Sequence, residues 1–295
     1  MPHAVLATLL ILAAGLQATP QNKTASAERR TRDIYVSVLD SSGKPVTGLT
    51  VADFTVREDN VAREVLNVAP ATEPLTVSLI VDDSQASTDA IPFMRDALNG
   101  FLDKLAGKGE IAIATVGERP TSQIDYTTST DALKKTAGRL FQRQGSGAYL
   151  LDGLVDVSKG LQKREAKRPH IVVITTESGT EFSNRAYQQV LEQLQRSGAT
   201  LHVLALGQPA SSIDDEMRNR NIVIAEGTER SGGRRDQILA LSGLPDRMKQ
   251  LADELLDQYV VTYGHPDQLI PPEKVQVTVN KPGLTARAKT RLPEK

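Results

Sequence analysis

The 295-residue sequence contains no cysteine and no tryptophan, and only 4% of its residues are aromatic. The absence of cysteine excludes disulfide bonds, thiolate catalysis, zinc sites with cysteine ligands and lipid attachment through an N-terminal cysteine. The scarcity of aromatic side chains argues against a surface that stacks on nucleobases or sugars. Stability must therefore come from the packing of aliphatic side chains, as in buried parallel sheets.

Neither sign of charge dominates. The sequence has 35 Lys and Arg against 36 Asp and Glu, for a net charge of -1. Such a balance does not recruit a protein to nucleic acid or to an anionic membrane surface. We therefore expect no nucleic-acid ligand, and charge alone leaves the class of partner open.

A single apolar run, residues 4–16, has the length of the central region of a signal peptide. Small residues around Ala18 and a polar stretch from Gln21 follow it. This order predicts a signal peptide over residues 1–18, a linker over residues 19–30, and an exported protein that is periplasmic, secreted or associated with the cell envelope. Because no Lys or Arg precedes the run, an uncleaved N-terminal anchor is the alternative. No later segment is long and apolar enough to span a bilayer, so no membrane span is expected after signal removal.

Both flanks of the chain alternate apolar and polar residues, which is typical of strands with one exposed face. In the N-terminal flank, strands are predicted over residues 33–39 and 63–68, with a turn at residues 40–43, so residues 31–70 are interpreted as a β-rich lead-in module. In the C-terminal flank, residues 274–279 and 285–290 alternate around Pro282 and Gly283, a turn signal. This predicts a C-terminal β-hairpin tail over residues 265–295.

Between the flanks, apolar runs alternate with amphipathic stretches, the pattern of parallel β-α units. Buried strands are predicted over residues 75–81, 111–116, 170–175 and 200–206. Helices are predicted over residues 91–105, 131–140, 149–161, 185–194 and 245–258, the last followed by a strand over residues 259–263. The predicted fold class is therefore α/β, with a doubly wound, mostly parallel, Rossmann-like sheet over residues 74–264 and a smaller β-rich accessory module from the two flanks.

The residues that follow the first buried strand are Asp82-Asp83-Ser84-Gln85-Ala86-Ser87. This stretch resembles the D-x-S-x-S motif of the von Willebrand factor type A family, whose metal-ion-dependent adhesion site also uses a loop threonine and a later aspartate. Asp82 and Ser84 match the motif, but Ala86 stands where its second serine belongs. In the stretch from Ser146 to Leu154, Ala148 stands where the threonine belongs, and Thr176 replaces the aspartate.

The resemblance extends into both flanks. Residues 38–49 are similar to a V-x-D-x-x-G-x-P-V-x-G-L element of exported bacterial proteins related to this family, and residues 251–264 are similar to their tail. The matches span residues 33 to 293. The resemblance implies the family's fold and an adhesion-type role in binding another protein.

Loss of the usual group at Ala86, Ala148 and Thr176 implies a degenerate adhesion site, so we expect no cofactor. Asp82 and Ser84 remain as residual metal-motif positions, and their alternative role is to cap the next helix or to bind loop amides. A site for Mg²⁺ or Mn²⁺ rebuilt with Glu177, Asp83 or Ser87 is the other possibility, although Mg²⁺ demands near-octahedral oxygen ligands.

The functional hypothesis is a non-enzymatic module that binds a protein of unknown identity through loops at the carboxyl edge of the sheet. The predicted partner-binding residues are Asp82, Asp83, Ser84, Ser87, Ser146, Thr176 and Glu177. The alternative is a hydrolytic or transfer enzyme that uses the acidic crevice at Asp82, Asp83, Ser84 and Glu177, which requires a carboxylate of raised pKa beside a substrate pocket. A purely structural component of the envelope is a third possibility.

Overall fold

The structure is a computed structural model that describes residues 30–209, 214–265 and 272–291. The predicted signal peptide and all but the last residue of the predicted linker lie outside these ranges. Within the described ranges, no helix combines the length and the apolar character that crossing a bilayer requires.

Strands and helices follow one another as the periodicity predicts, with three additional elements in the central unit. The strands are β1 (Thr31–Leu39), β2 (Phe54–Glu58), β3 (Val61–Arg63), β4 (Val65–Pro70), β5 (Leu75–Val81), β6 (Gly109–Thr115), β7 (Thr121–Thr127), β8 (Pro169–Thr176), β9 (Thr200–Leu206), β10 (Arg235–Ile238), β11 (Tyr259–Gly264), β12 (Val275–Val279) and β13 (Thr285–Ala288). The helices are α1 (Ile91–Lys104), α2 (Thr130–Ala137), α3 (Leu150–Lys163), α4 (Tyr187–Ser197), α5 (Asp215–Ser231) and α6 (Leu244–Leu256).

The central sheet has the strand order β10-β9-β8-β5-β6-β7, and its pairs are parallel except for the antiparallel pair β6–β7. Every residue of β5, β8 and β9 is buried, as expected for strands covered on both faces. Helices α1, α2 and α6 pack on one face, and α3, α4 and α5 pack on the other. The predicted doubly wound α/β sheet is thus confirmed, with all four predicted strands in place.

Three elements of the central unit were not predicted. Strand β7 reads Thr-Ser-Gln-Ile-Asp-Tyr-Thr and β10 reads Arg-Asp-Gln-Ile, so neither shows the apolar run of a buried strand. Both lie at an edge of the sheet, where polar residues are tolerated. Helix α5 is polar along most of its length, and its start is set by Asp214, whose side chain accepts a hydrogen bond from the Met217 amide (2.8 Å).

The flanks form two antiparallel sheets, one with the order β13-β1-β11-β4 and the other with the order β12-β2-β3. Their shared core is aliphatic and aromatic, and includes Val36, Val56, Tyr259 and Tyr263. The N-terminal turn is as predicted: the Asp40 carboxylate accepts hydrogen bonds from the Ser42 and Lys44 amides, and Gly43 has a φ of 78°. An accessory β module made from both flanks is confirmed.

Two predictions about the C-terminal flank need correction. The strand at residues 259–263 was assigned to the central domain, but β11 pairs with β1 and β4 in the accessory module. The predicted terminal hairpin is also wrong: β12 pairs with β2, whereas β13 pairs with β1. Gly283 does lie in a turn, with a φ of 75°. The two strands separate because β1 and β2 each present an edge whose backbone groups need partners, and local alternation does not reveal those distant edges.

Candidate functional site

The order β8-β5-β6 brings the loops that follow these strands together at the carboxyl edge of the central sheet, where ligands of open α/β sheets bind. We refer to this edge as the apex. Residues 82–87 follow β5, residues 116–118 follow β6, and residues 177–186 follow β8. The loop that precedes α3, residues 138–149, also lies here, because the Arg143 amide donates to the Asp83 carbonyl (2.8 Å).

Asp82 ties β5 to β8 at the apex. One carboxylate oxygen accepts a hydrogen bond from the Ser84 amide (3.0 Å). The other oxygen accepts three, from the Thr175 hydroxyl (3.2 Å), the Thr176 amide (3.2 Å) and the Thr176 hydroxyl (3.0 Å). The Asp82 side chain therefore satisfies loop amides and hydroxyls, which is the alternative role that its sequence position suggested.

Asp83 connects the loop after β5 to the loop after β6. Its carboxylate accepts a hydrogen bond from the Gly117 amide (2.6 Å) and forms an ion pair with Arg143 (3.2 Å). A Cβ at position 117 would lie only 2.6 Å from Asp83 Oδ1, so this contact requires glycine. Arg143 also pairs with the exposed Glu118 (3.1 Å).

The predicted hydroxyl residues behave differently from one another. Ser84 and Ser87 are fully buried, and within the described part of the chain neither Oγ has a hydrogen-bond partner. Ser146 is partly exposed, and its hydroxyl donates to the Arg143 carbonyl (2.8 Å). Ala148, which stands at the threonine position of the family motif, is held by a hydrogen bond from its amide to the Thr180 carbonyl (2.8 Å).

Two arginines contact the β8 side of the apex. Arg235 at the start of β10 forms an ion pair with Glu177 (2.9 Å). Arg220 on α5 is only 1% exposed, and its Nη2 donates to the Thr175 hydroxyl (3.0 Å) and to the Thr176 carbonyl (2.7 Å). Each of these guanidinium groups is brought to the apex by an element that the sequence did not predict.

Glu181 is a further buried carboxyl group of the apex. Burial raises the pKa of Glu181 to about 7, against the lowering effect of hydrogen bonds from Ser183. Its oxygens accept hydrogen bonds from the amides of Leu150 (3.3 Å) and Leu151 (3.5 Å) at the start of α3. The acid thus satisfies free N–H groups at a helix N-terminus, where negative charge is favoured.

The donor set of the apex does not fit a divalent cation. Asp82 already accepts four hydrogen bonds, and the oxygen that faces β8 lies near the guanidinium group of Arg220, which repels a second cation. The backbone at Gly179 also passes close to this oxygen: an added Cβ there would lie 2.7 Å from Thr176 Oγ1, 3.4 Å from the Ala86 Cβ and 3.8 Å from Asp82 Oδ2. Among the described residues, no group of three or more His, Asp or Glu is arranged to hold a metal ion.

The structure places the seven predicted partner-binding residues at the apex and mostly beneath its surface. All of them lie at the apex, but Asp82, Asp83, Ser84, Ser87, Thr176 and Glu177 are buried. Hydrogen bonds or ion pairs of the four residues other than Ser84 and Ser87 hold the loops together. The Oγ atoms of Ser84 and Ser87 have no hydrogen-bond partner within the described part of the chain, although they are equally covered. Ser146 alone of the seven is partly exposed.

The exposed surface of the apex carries large apolar side chains. Phe141 is 60% exposed in the loop before α3, Phe182 is 48% exposed in the loop after β8, and Leu239 is 63% exposed directly after β10. Among the described residues, the other large apolar side chains exposed to a comparable degree are Val51 and Val61, both in the accessory module. Nothing in the sequence distinguishes the three apex residues, because a lone apolar residue in a loop carries no periodic signal.

The carboxylates proposed for an enzyme do not line a described cavity. One cavity lies between α4, α5 and Lys289, and a larger groove of about 790 Å³ lies between α5 and the accessory module. Both are remote from the apex, and the raised pKa that the enzyme hypothesis requires occurs at Glu181, whose oxygens bind backbone amides. The geometry therefore gives the hydrolytic or transfer mechanism no support.

Comparison with known proteins supports the fold at low sequence identity. Neither the family models nor the curated proteins compared with this sequence gave a match. Among solved structures, a von Willebrand factor type A protein from Catenulispora acidiphila is 14% identical, with a TM-score of 0.50 over 90% of this chain and 75% of that one. Proximal thread matrix protein 1 from the mussel byssus is 14% identical, with a TM-score of 0.51 over 67% of this chain and 50% of that protein, so this chain spans half of its length. The chain has the von Willebrand factor type A fold.

Proposed function

We propose that this chain is an exported, non-enzymatic module that binds another protein through the apex of its von Willebrand factor type A fold. The observation that carries the proposal is the concentration of exposed apolar side chains at that edge: Phe141, Phe182 and Leu239. Apolar groups that remain in water at a ligand-binding edge are typical of interaction sites, where large apolar anchors contribute most of the affinity.

The three side chains span the apex from one side to the other. Leu239 follows β10 at the edge of the sheet, Phe182 follows β8, and Phe141 lies in the loop that is hydrogen-bonded to Asp83. Since neighbouring strands are about 4.8 Å apart, β8 and β10 are separated by about 10 Å. This spacing suits contact with the surface of a protein rather than the capture of one small molecule.

The apolar residues rest on a fixed scaffold. Phe182 packs edge-to-face on Tyr149, with ring centroids 5.8 Å apart, and its amide donates to the Ala148 carbonyl (2.7 Å). Arg143 lies over the ring of Phe141 at 5.7 Å and is itself paired with Asp83. A surface held in place before binding loses less conformational entropy when the partner arrives, which supports a binding role.

A double variant, Phe141→Ser with Leu239→Ser, tests the proposal. We expect it to lose at least tenfold in affinity for the partner, because truncation of an interface anchor costs at least about 1.4 kcal/mol. Wild-type protein and variant are immobilised side by side, and proteins from an envelope extract of the source organism are captured and quantified. The affinity for any protein that depends on the apex is then measured by titration.

The matched control is Val51→Ser with Val61→Ser, which removes the same kind of side chain from the accessory module. These residues are 40% and 54% exposed. The control is expected to bind like the wild type, and all three proteins are expected to have the same thermal stability. Equal capture by the wild type and the apex variant would overturn the proposal.

Export rests on the sequence pattern of residues 1–18, which lie outside the described ranges. Cell fractionation of the tagged full-length chain tests it. Recovery in the cytoplasmic fraction would contradict an extracytoplasmic role, whether or not the apex binds a partner.

A further inference from the structure

Four buried carboxyl groups lie at the apex of the described structure. Asp82, Asp83, Glu177 and Glu181 are each no more than 3% exposed. A buried carboxylate is costly unless a positive charge or several hydrogen bonds compensate it. Asp83 and Glu177 have direct partners in Arg143 and Arg235, whereas within the described part of the chain every hydrogen-bond donor to Asp82 is uncharged.

Arg220 is the cation that reaches the centre of this group. Its Nη2 donates to the Thr175 hydroxyl, which in turn donates to Asp82 Oδ2. The same nitrogen donates to the Thr176 carbonyl, at the end of β8. Burial lowers the pKa of Arg220, whereas the negative charges of Glu181, Glu177 and Asp82 raise it. An arginine side chain stays protonated in proteins, so a fixed positive charge lies inside the apex.

The changes from the metal-binding motif are consistent with this arrangement. Ala86 and Ala148 lack the hydroxyl groups that the motif supplies, and Thr176 lacks its carboxylate. Each change removes an oxygen that a divalent ion requires. The change at position 176 also leaves one negative charge fewer beside the guanidinium group, and the Thr176 hydroxyl donates to Asp82 instead.

We propose that the guanidinium group of Arg220 replaces the divalent cation of metal-holding sites: it compensates the charge of Asp82 and its acidic neighbours and holds the ends of β5 and β8 in register. Arg220 is thus a positioning residue that keeps the apex ordered without a metal ion. The inference does not depend on the proposed function, because it concerns the internal order of the apex and not the partner.

The test is a double-mutant cycle between Arg220→Met and Asp82→Asn, read by thermal unfolding of the protein without its signal segment. We expect Arg220→Met to lower the Tm by about 10 °C, because it leaves buried carboxylates without their cation. Asp82→Asn should lower the Tm in the wild-type background. In the Arg220→Met background, where this carboxylate is no longer compensated, that loss should shrink by about 3 °C or more.

Arg168→Met is the matched control. Arg168 is 4% exposed, and its guanidinium donates to Gln258 and to the Leu255 carbonyl, which are uncharged. Its loss should lower the Tm and be additive with Asp82→Asn. Additive losses in the Arg220 cycle as well would show that Arg220 acts through packing alone and would overturn the proposal.

A second measurement distinguishes stabilisation by the guanidinium group of Arg220 from stabilisation by a metal ion. Millimolar Mg²⁺ or Mn²⁺, or a chelator, should leave the Tm of the wild type unchanged. A rise in Tm with either ion that disappears in Asp82→Asn would overturn the proposal. Should Arg220→Met fail to fold, Arg220→Gln takes its place in the cycle: it removes the charge but keeps an amide donor, and the Asp82→Asn loss should again shrink by about 3 °C or more.

Discussion

Glu58→Ala is expected to lower the free energy of unfolding by about 3 kcal/mol, because it removes the acid from a buried charged network. The Glu58 carboxylate is completely buried and binds Arg63 (2.9 Å), Arg32 (3.5 Å), the Tyr263 hydroxyl (2.9 Å) and His265 Nδ1 (2.9 Å). These partners lie on or directly after β1, β3 and β11, so one side chain connects both sheets of the accessory module. Removing one partner of a buried ion pair costs about 3 to 5 kcal/mol. We expect the lower end of this range because the side chains of Arg32 and Arg63 both retain some access to water.

Urea denaturation followed by circular dichroism measures this loss. Glu192→Ala is the matched control, since Glu192 also pairs with an arginine (Arg196, 2.5 Å) but is 62% exposed. A solvated pair of this kind contributes little, so no measurable change is expected. Equal effects of the two substitutions would mean that burial of Glu58 has no energetic consequence.

A second large effect concerns acid pH and the buried pair His170 and His202. Their ring nitrogens Nδ1 and Nε2 are 3.3 Å apart, and both residues lie inside the central sheet. Burial lowers the pKa of His202 from 6.5 to about 3, and it lowers the pKa of His170 in the same direction, aided by His202. Both imidazoles are therefore neutral in the folded protein at neutral pH.

The direction in which stability changes with pH follows from how many protons the folded and unfolded states bind. Below pH 6.5 the unfolded chain binds a proton at His202 that the folded protein does not, so the stability that this group contributes is present above that pH and is lost as the pH falls toward 3. Between about pH 7 and about pH 5 the loss from His202 alone is about 2 kcal/mol. Glu181 acts in the opposite direction: its pKa is raised from 4.5 to about 7, so its contribution is present below pH 4.5 and is lost as the pH rises through 7.

Two variants separate these opposing contributions. Relative to the wild type, His202→Leu should gain stability as the pH falls from about 7 to about 5, by about 2 kcal/mol. Glu181→Gln should change in the opposite sense, because glutamine cannot take up the proton that stabilises the wild type in acid. Urea midpoints at the two pH values measure both. If the stability of His202→Leu and that of the wild type changed equally with pH, the claim that the buried histidines are neutral in the folded protein would be wrong.

How far the sequence predicts this structure depends on the range over which each signal acts. The four buried strands were predicted because runs such as Leu75–Val81 have no polar face, and this property is local. The terminal hairpin was predicted wrongly because alternation in residues 274–290 identifies strands but not their partners, which lie in the N-terminal flank. Pairing between distant segments has no local signature.

The same distinction between local signals and distant contacts applies to the candidate site. Asp82 and its contact with the β8 loop could be anticipated, because the carboxyl ends of neighbouring parallel strands meet at one edge. Arg220 could not, because its helix shows little amphipathic pattern and its contact with Thr175 joins residues 45 positions apart. A capping residue followed by acidic residues, Asp214-Asp215-Glu216, was the available signal for the start of that helix. The exposed residues Phe141 and Leu239 had no signal other than their apolar character.

The pairing of β1 with β11 and β13 also fixes an order of events during synthesis. Asp33 and its hydrogen-bond partner Thr262 are separated by 229 residues, so the first strand is made long before its neighbours exist. The central unit contains its own sheet and helices and can collapse first, whereas β1 keeps unpaired backbone edges until β11 and β13 emerge. A ribosome that stops before residue 285 therefore releases a chain in which one edge of β1 is unpaired, and closure of the accessory module requires translation through β13.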